Sequence, residues 1–410
     1  MTIASGLLKQ TIYKKQSVLG TPEAGAGGQI VRRVTSISKA DRDMFESNEI
    51  VSHHQSTGSS YGLQKADTKI NGLLSAATYS EFIESILERD FATVTPLNVG
   101  VDCTAQAANP QFVDASAGYL AGGLKVGMVG QWTGWAGGSA TDNNDKDFLI
   151  LVLTAGNMTG VFLDGTAVEA DAASDDVTFT PTGMRTYAPD TGHTKDYYTI
   201  EEFYTDITKS AVFGSERVSS ININLPATGN ATIETNFVGL SRSLTGAQVL
   251  TSPSAETTTA IMSAINGSIY IGVQGAEAAQ TIATGLQFTI SNNAANSGAV
   301  IGSNTGGDVT TGRIKISGSF TGLFDSSTLQ DFYAAETNLS IILAITGDNT
   351  ATPDHMTFTL PRIKLTGDTP DDGEKAIMRT YPFTAEIYMD GGAALAYDKT
   401  ILAVCDSAMT

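Results

Sequence analysis

The chain has 410 residues, with 24 Lys+Arg against 43 Asp+Glu and a net charge of −19. Only 16% of residues are charged and 41% are hydrophobic, which excludes a disordered acidic chain, because such chains are dense in charge and poor in core formers. The same balance argues against a protein that grips nucleic acid by its phosphates, and no run approaches the roughly 20 apolar residues of a membrane-spanning helix.

The opening MTIASGLLKQTIYKK puts its positive charge after a short apolar run, which is not the order of a secretory signal. Residues 1–29, ending in the turn-rich TPEAGAGGQI, read as a flexible N-terminal arm. VRRVTSIS (31–38) alternates as a strand does, a long polar stretch follows over 39–67, and TKINGLLS (68–75) reads as a second strand. TYSEFIESILERD (78–90) reads as a helix. Its signals are a capping box from Thr78 to Glu81 and one apolar stripe of Phe82, Ile83, Ile86 and Leu87.

Residues 97–190 change in character. They hold 11 acidic and 3 basic residues, and four strand-like runs, 122–132, 148–155, 160–165 and 176–181, are separated by turns. They read as a small all-β domain inserted into the main one. Beyond it, 197–207 and 215–225 are strand candidates. ININL and TIETNF, on either side of the turn PATGN, make a hairpin.

The last third repeats the order of the first: strand (286–291), polar loop, strand (313–322), helix (327–337), hairpin (358–387). Thr328 falls over Thr78 and Phe332 over Phe82, and Lys315–Gly318 is set against Lys69–Gly72. The expectation is an internal duplication of one β-plus-helix unit. Its parts are 30–96 with 191–240, and 241–410 with a C-terminal arm.

No reactive centre emerges from the residues. His53 and His54 are neighbours in a polar loop, and adjacent strand positions cannot face one metal; the other two histidines are His193 and His355. DNNDKD (142–147) and GDTPDDGE (367–374) miss the calcium-loop pattern and read as Asn/Asp turns. Glu201 and Glu202 face opposite ways on a strand. Trp132 and Trp135 could offer a sugar platform, but packing inside a small β domain is the simpler reading. Cys103 and Cys405 read as independent free thiols, suited to a reducing cytoplasm. No cofactor, metal or catalytic residue is expected.

Val31 to Phe91, the run 198–239, and the runs 284–341 and 358–387 together resemble the tail tube proteins of tailed bacteriophages. The resemblance covers roughly 30–95 and 197–405 and leaves 97–190 aside. It implies a mainly β chain, with two tandem tail-tube-like sandwich or barrel units, each with a flanking helix, plus the inserted domain. It also implies a structural virion protein, not an enzyme. Its chains would be assembled in the host cytoplasm into stacked rings, leaving a conduit with an acidic, DNA-repelling lumen. The partner implied first is self, with three chains per pseudo-hexameric ring favoured and six possible. Tail terminator and tail tip proteins would join it, and tape measure protein and genomic DNA would pass through without sequence-specific binding; no membrane is implied. The polar loops, with Ser47, Asn48, Glu49, Ile50, His53, His54, Ser303 and Asn304, are expected to make ring-to-ring contacts, and with the arm to be mobile before assembly. The rivals are an extracellular β-rich adhesin, another virion surface or decoration protein, or a carbohydrate-active enzyme.

Overall fold

A computed structural model describes residues 3–53, 55–172, 174–371 and 374–409. Strand accounts for 46% of it and helix for 7%, so sheets carry the core. In chain order the first half holds β1 (Lys9–Lys15), β2 (Thr35–Glu46), β3 (Ser59–Leu73), α1 (Ser80–Leu87), β4 (Tyr198–Tyr204), β5 (Lys209–Pro226), β6 (Thr232–Gly239) and β7 (Ser241–Thr245). The second half holds β8 (Gly267–Gly272), β9 (Ala283–Ser291), β10 (Lys315–Leu323), α2 (Thr328–Ala334), β11 (Leu339–Thr346), β12 (His355–Leu365), β13 (Thr369–Pro370), β14 (Met378–Ala385) and β15 (Ala403–Asp406).

The pairings of the two halves match strand for strand, all antiparallel. In the first, β2 pairs β3, β3 pairs β6, β6 pairs β5, and β5 also takes β4 and β7, while β1 closes on β4. In the second, β9 pairs β10, β10 pairs β14, β14 pairs β12, and β12 also takes β11 and β15, while β8 closes on β11. One ladder joins the halves: Ser220–Pro226 of β5 against Gly285–Ser291 of β9.

These ladders fix the register of the repeat. Leu73 faces Thr232 and Leu323 faces Met378, so Leu323 is the counterpart of Leu73, 250 positions on (323 − 73). Thr328 and Phe332 stand 250 after Thr78 and Phe82 as well. The expected match of Lys315–Gly318 with Lys69–Gly72 is therefore corrected by four residues, and Gly322 is the partner of Gly72. A four-residue slip keeps every side chain on its face, because strand alternation has period two; hydrophobic pattern alone cannot see it.

Other expectations are corrected too. Within the expected flexible segment 1–29, Lys9–Lys15 is a sheet strand whose Ile12 and Tyr13 are buried. The polar stretch 39–67 is mostly the two arms of one long hairpin, paired from Thr35↔Asn71 out to Glu46↔Ser59. The expected C-terminal arm contains β15, buried throughout. Of 122–132 only Val129 onward is strand, in Val129–Thr133. Thr78 makes no capping box: Tyr79 stands at the N-cap without a side-chain bond. The Thr78 hydroxyl instead meets Ser75 Oγ at 2.7 Å and Thr257 Oγ1 at 2.5 Å.

The α1 stripe is buried as its periodicity requires. The Phe82 ring lies 4.8 Å from Tyr13, 5.6 Å from Tyr198 and 5.0 Å from Phe237, tying α1 to β1, β4 and β6. Residues 97–181 form their own seven-stranded sheet around Phe112, Trp132, Phe148 and Phe179. That core continues into Tyr270 of β8, Ile342 and Ala344 of β11, and Cys405 of β15. Although the segment leaves the chain in the first half, it packs on the second. This is why β11, LSIILAIT, is buried at every position: a strand covered on both faces reads as an unbroken apolar run rather than an alternation.

Strand β5 serves two sheets, pairing β4 and β7 up to Gly214, with one last β4 contact at Glu216, and β6 and β9 beyond. Ser215 takes φ 55° at the crossover, and the next residue, Glu216, is fully buried. Gly239 makes the room, since a Cβ there would lie 2.6 Å from the Glu216 carboxyl. Burial pushes this carboxyl well above its ordinary value, with the Asp67 charge adding to the rise and the Thr68 hydroxyl opposing it. The folded chain therefore holds this proton to higher pH than the unfolded chain. Stability linked to Glu216 is full below the unfolded value of 4.5 and falls as pH climbs from there toward the folded value. Glu216→Gln is expected to raise the denaturant midpoint at pH 7–8 and to flatten its decline with pH. An unchanged pH profile would show that Glu216 does not carry this proton.

Candidate assembly surfaces

The β2–β3 hairpin leaves the body of the molecule with its apolar side chains uncovered. Met44 is 57% exposed, Phe45 61%, Tyr61 74% and Ile50, at the tip, fully. Bulky apolar groups clustered on one projection are atypical of a surface meant to stay in water. Asn48, Glu49 and His53 are exposed beside Ile50, and Ser47 is half-buried where its N–H bonds Gly58 O at 2.9 Å. His54 lies outside the described residues.

The second polar loop, 292–314, folds against the stem of this hairpin and not against its tip. The Asn304 carbonyl accepts from Gln64 N–H at 2.8 Å, and Gln64 pairs with Arg42. Ser303 and Asn304 are exposed there. Ser47 is five residues further out than Arg42, about 16 Å of strand. The structure thus brings Ser303 and Asn304 to the base of the projection, while Ser47–Ile50 and His53 stand at its far end.

A second surface is the polar face of the sheet that runs β2-β3-β6-β5-β9-β10-β14. Inward positions such as Ile70, Phe237, Ile221, Phe288 and Phe320 are buried. The alternating outward positions carry Asn71, Asn236, Asn222, Thr289, Ser319 and Thr380. Most charges on this face are matched: Lys69 Nζ lies 2.7 Å from Glu234, and Lys39 Nζ lies 3.2 Å from Asp67 and 3.5 Å from Asp41, while Lys315, exposed at the start of β10, has no ion pair among the described residues. Hydrogen bonds from Lys69 and Asn236 hold Glu234 below the usual carboxylate range.

The third surface is the pair of edges of this sheet. Among the described residues, β2 pairs only with β3, and Thr369–Pro370 only with β14.

The remaining candidates have structural partners. Glu202 accepts from Lys9 Nζ at 2.7 Å and from Ser38 Oγ at 2.9 Å, while Glu201, on the opposite face, accepts from Val249 N at 2.8 Å and Leu250 N at 2.6 Å. Trp132 and Trp135 are buried, and each lies within 6 Å of Phe112, so they pack and offer no sugar platform. Asn144 caps the backbone of Trp135 at both N–H and C=O, the side-chain-to-backbone bonding typical of an Asn/Asp loop. His355 is buried against Asp147 at 3.2 Å, and His193 lies 3.2 Å from Glu88. Asp368 forks onto Arg379 at 2.6 and 2.7 Å. Cys103 and Cys405 are free and buried. Glu84, Asp90 and Asp196 converge, and the Lys15 ammonium is bound among them at 3.1–3.4 Å.

What sequence reasoning missed was the apolar side chains on the hairpin arms. Their signal was present in DMF and SSYGL, where Met44, Phe45 and Tyr61 interrupt a polar text, but without the hairpin there was no reason to expect them in water.

No curated protein matches the chain. A family model described as phage tail tube protein matches residues 6–385. With that span matched, the chain belongs to the phage tail tube protein family: it is a structural component of the virion tail that self-assembles into the tube, and it is not an enzyme.

Proposed function

We propose that the chain builds the tube as stacked rings of three subunits, each supplying two tail-tube-like units: 30–96 with 191–240, to which the pairings add β1 and β7, and the remainder of 241–410. Segment 97–190 is then an inserted domain on the outer side. The observation that carries this reading is the strand-for-strand repeat of pairings in the two halves, because a chain holding two equivalent units needs half as many copies to close a ring. Six chains per ring is the alternative the same fold could serve.

In this reading the hairpin tip, with Ser47, Asn48, Glu49, Ile50 and His53, reaches the next ring, and Ser303 and Asn304 support its base. The polar face of the long sheet lines the bore, through which tape measure protein and genome pass. Terminator and tip proteins cap the two ends. The expected acidic lining is revised in one respect: the excess negative charge of the chain does not lie on this face. Its lysines apart from Lys315 are paired with carboxylates, and most of the rest is hydroxyl and amide. Such a wall offers DNA few uncompensated cations, Lys315 at one end of β10 among them, whose binding would release counterions, which is the main source of non-specific grip. It lets the duplex slide without needing to repel it.

Purified subunit, brought to assembly concentration and viewed in negative stain, is expected to give hollow tubes, with threefold symmetry on helical reconstruction. Sixfold rings would refute the three-chain ring, and discrete monomers at every concentration would refute the assembly reading.

A further inference from the structure

The chain contains one worked example of how two of its halves join: Ser220–Pro226 of β5 against Gly285–Ser291 of β9. Its other two ends are open in a complementary way. Among the described residues β2, the counterpart of β9, has a free outer edge, and the stretch from Thr366 to Asp371 around β13, the counterpart of the end of β5, has another. We propose that the β2 edge of one subunit adds to the Thr366–Asp371 edge of the next in the register of the internal junction. This places Lys39 opposite Thr369, Ile37 opposite Asp371 and Asp41 opposite Gly367. The inference rests on the assembly reading above and specifies its seam.

The register follows from two offsets. Between β2 and β9 it is the 250 residues already found. Between β5 and β12–β13 it is 147 (360 − 213), because two irregularities recur at that spacing. The β4–β5 ladder shifts between Ile200↔Phe213 and Tyr198↔Glu216, and the β11–β12 ladder shifts between Ile341↔Leu360 and Leu339↔Ile363. The ladder onto β6 shifts between Val218 and Ser220. The ladder onto β14 shifts between Leu365↔Phe383 and Thr369↔Thr380. Carrying Asn222↔Thr289 through both offsets gives Thr369↔Lys39.

The occupant is a second copy of this chain for three reasons. Within the chain, the strand that pairs with the equivalent of β2 is β5, whose own equivalent is the Thr366–Asp371 edge. Ile37, 61% exposed, would be covered by the addition. Lys39 would gain Asp371 as a diagonal neighbour, a favourable cross-strand contact. One detail separates this seam from the internal one. Asp371 N–H bonds Met378 O at 2.8 Å, so the nitrogen of Pro370 faces the open edge, where it has no hydrogen to give. At the same position the internal junction has Ile223. A proline on an edge lowers the risk of indiscriminate strand addition. The inter-subunit seam is thus the weaker one, which suits a subunit that must stay single until it meets a growing tube.

The test uses the full chain with cysteine pairs K39C/T369C and I37C/D371C, and the off-register pair D41C/D371C, in which the partner is four residues, about 13 Å, out of line. After assembly and mild oxidation, non-reducing gels should show covalent multimers for the first two, ending at the number of chains in the ring. The third should cross-link about tenfold more slowly, because a disulfide needs close Cβ approach. A mixture of K39C and T369C single variants should give dimers and nothing larger. Tubes in which the in-register pairs stay monomeric, or the off-register pair links equally fast, overturn the proposed seam and leave the assembly reading intact. Failure of the unmodified chain to form tubes overturns the assembly reading itself.

Discussion

Excision of residues 45–62 is expected to leave a folded subunit that no longer polymerises. The cut removes the outer arms and tip of the β2–β3 hairpin. None of the removed residues belongs to a buried core cluster, and the strands flanking the cut are already paired, Arg42 against Gln64, so a short turn rejoins them. The unfolding midpoint should move little, within about 1 kcal/mol, as for changes away from buried features. Assembly should collapse, because the excision takes Phe45, Ile50 and Tyr61, the largest uncovered apolar groups on the projection, and with them the driving force for stacking. Sedimentation of the variant at concentrations where the parent chain pellets as tubes measures this directly. Tubes of normal length would show that ring stacking does not use the hairpin.

Much of this molecule is legible in its sequence, and the parts that are not share a cause. The β5–β6 hairpin could be read because ININL and TIETNF alternate around a turn, and both strands have one wet and one dry face. The α1 stripe could be read for the same reason. β1 could not: KQTIYKK is mostly charged or polar, and its place in the sheet comes from β4, almost two hundred residues away. β11 hides in an apolar run because the inserted segment covers its second face. The Thr78 box failed because the hydroxyl found tertiary partners in Ser75 and Thr257, which no local pattern encodes. The assembly surfaces divide likewise. The polar loops with Ser47–Ile50 and Ser303–Asn304 stand out by composition. The open edges at β2 and β13 are invisible, since whether a strand has one neighbour or two is decided by the fold.

The repeated helix gives the second large effect, and it depends on what each copy packs against. α1 and α2 are equivalent by position, with Phe82 and Phe332 at the same place in each. α1 is buried at seven of its eight residues, whereas α2 has none buried. The difference lies in what covers them: Phe82 packs on Tyr13, Tyr198 and Phe237, and further cover comes at the helix end. The chain coming back from the insertion lies across the end of α1: Thr194 N–H bonds Glu88 O at 2.8 Å, and the Arg89 guanidinium sits 4.0 Å over the Tyr187 ring. The second half has no insertion after α2, so Phe332 only leans on the core from the surface. Phe82→Ala should therefore cost about 3–5 kcal/mol, the range for emptying a buried aromatic site. Phe332→Ala should cost about 1 kcal/mol, since only part of its ring leaves water on folding. Urea unfolding of the unassembled subunit separates the two, with midpoints displaced strongly for the first and slightly for the second. Equal displacements would mean that α2 is covered as deeply as α1.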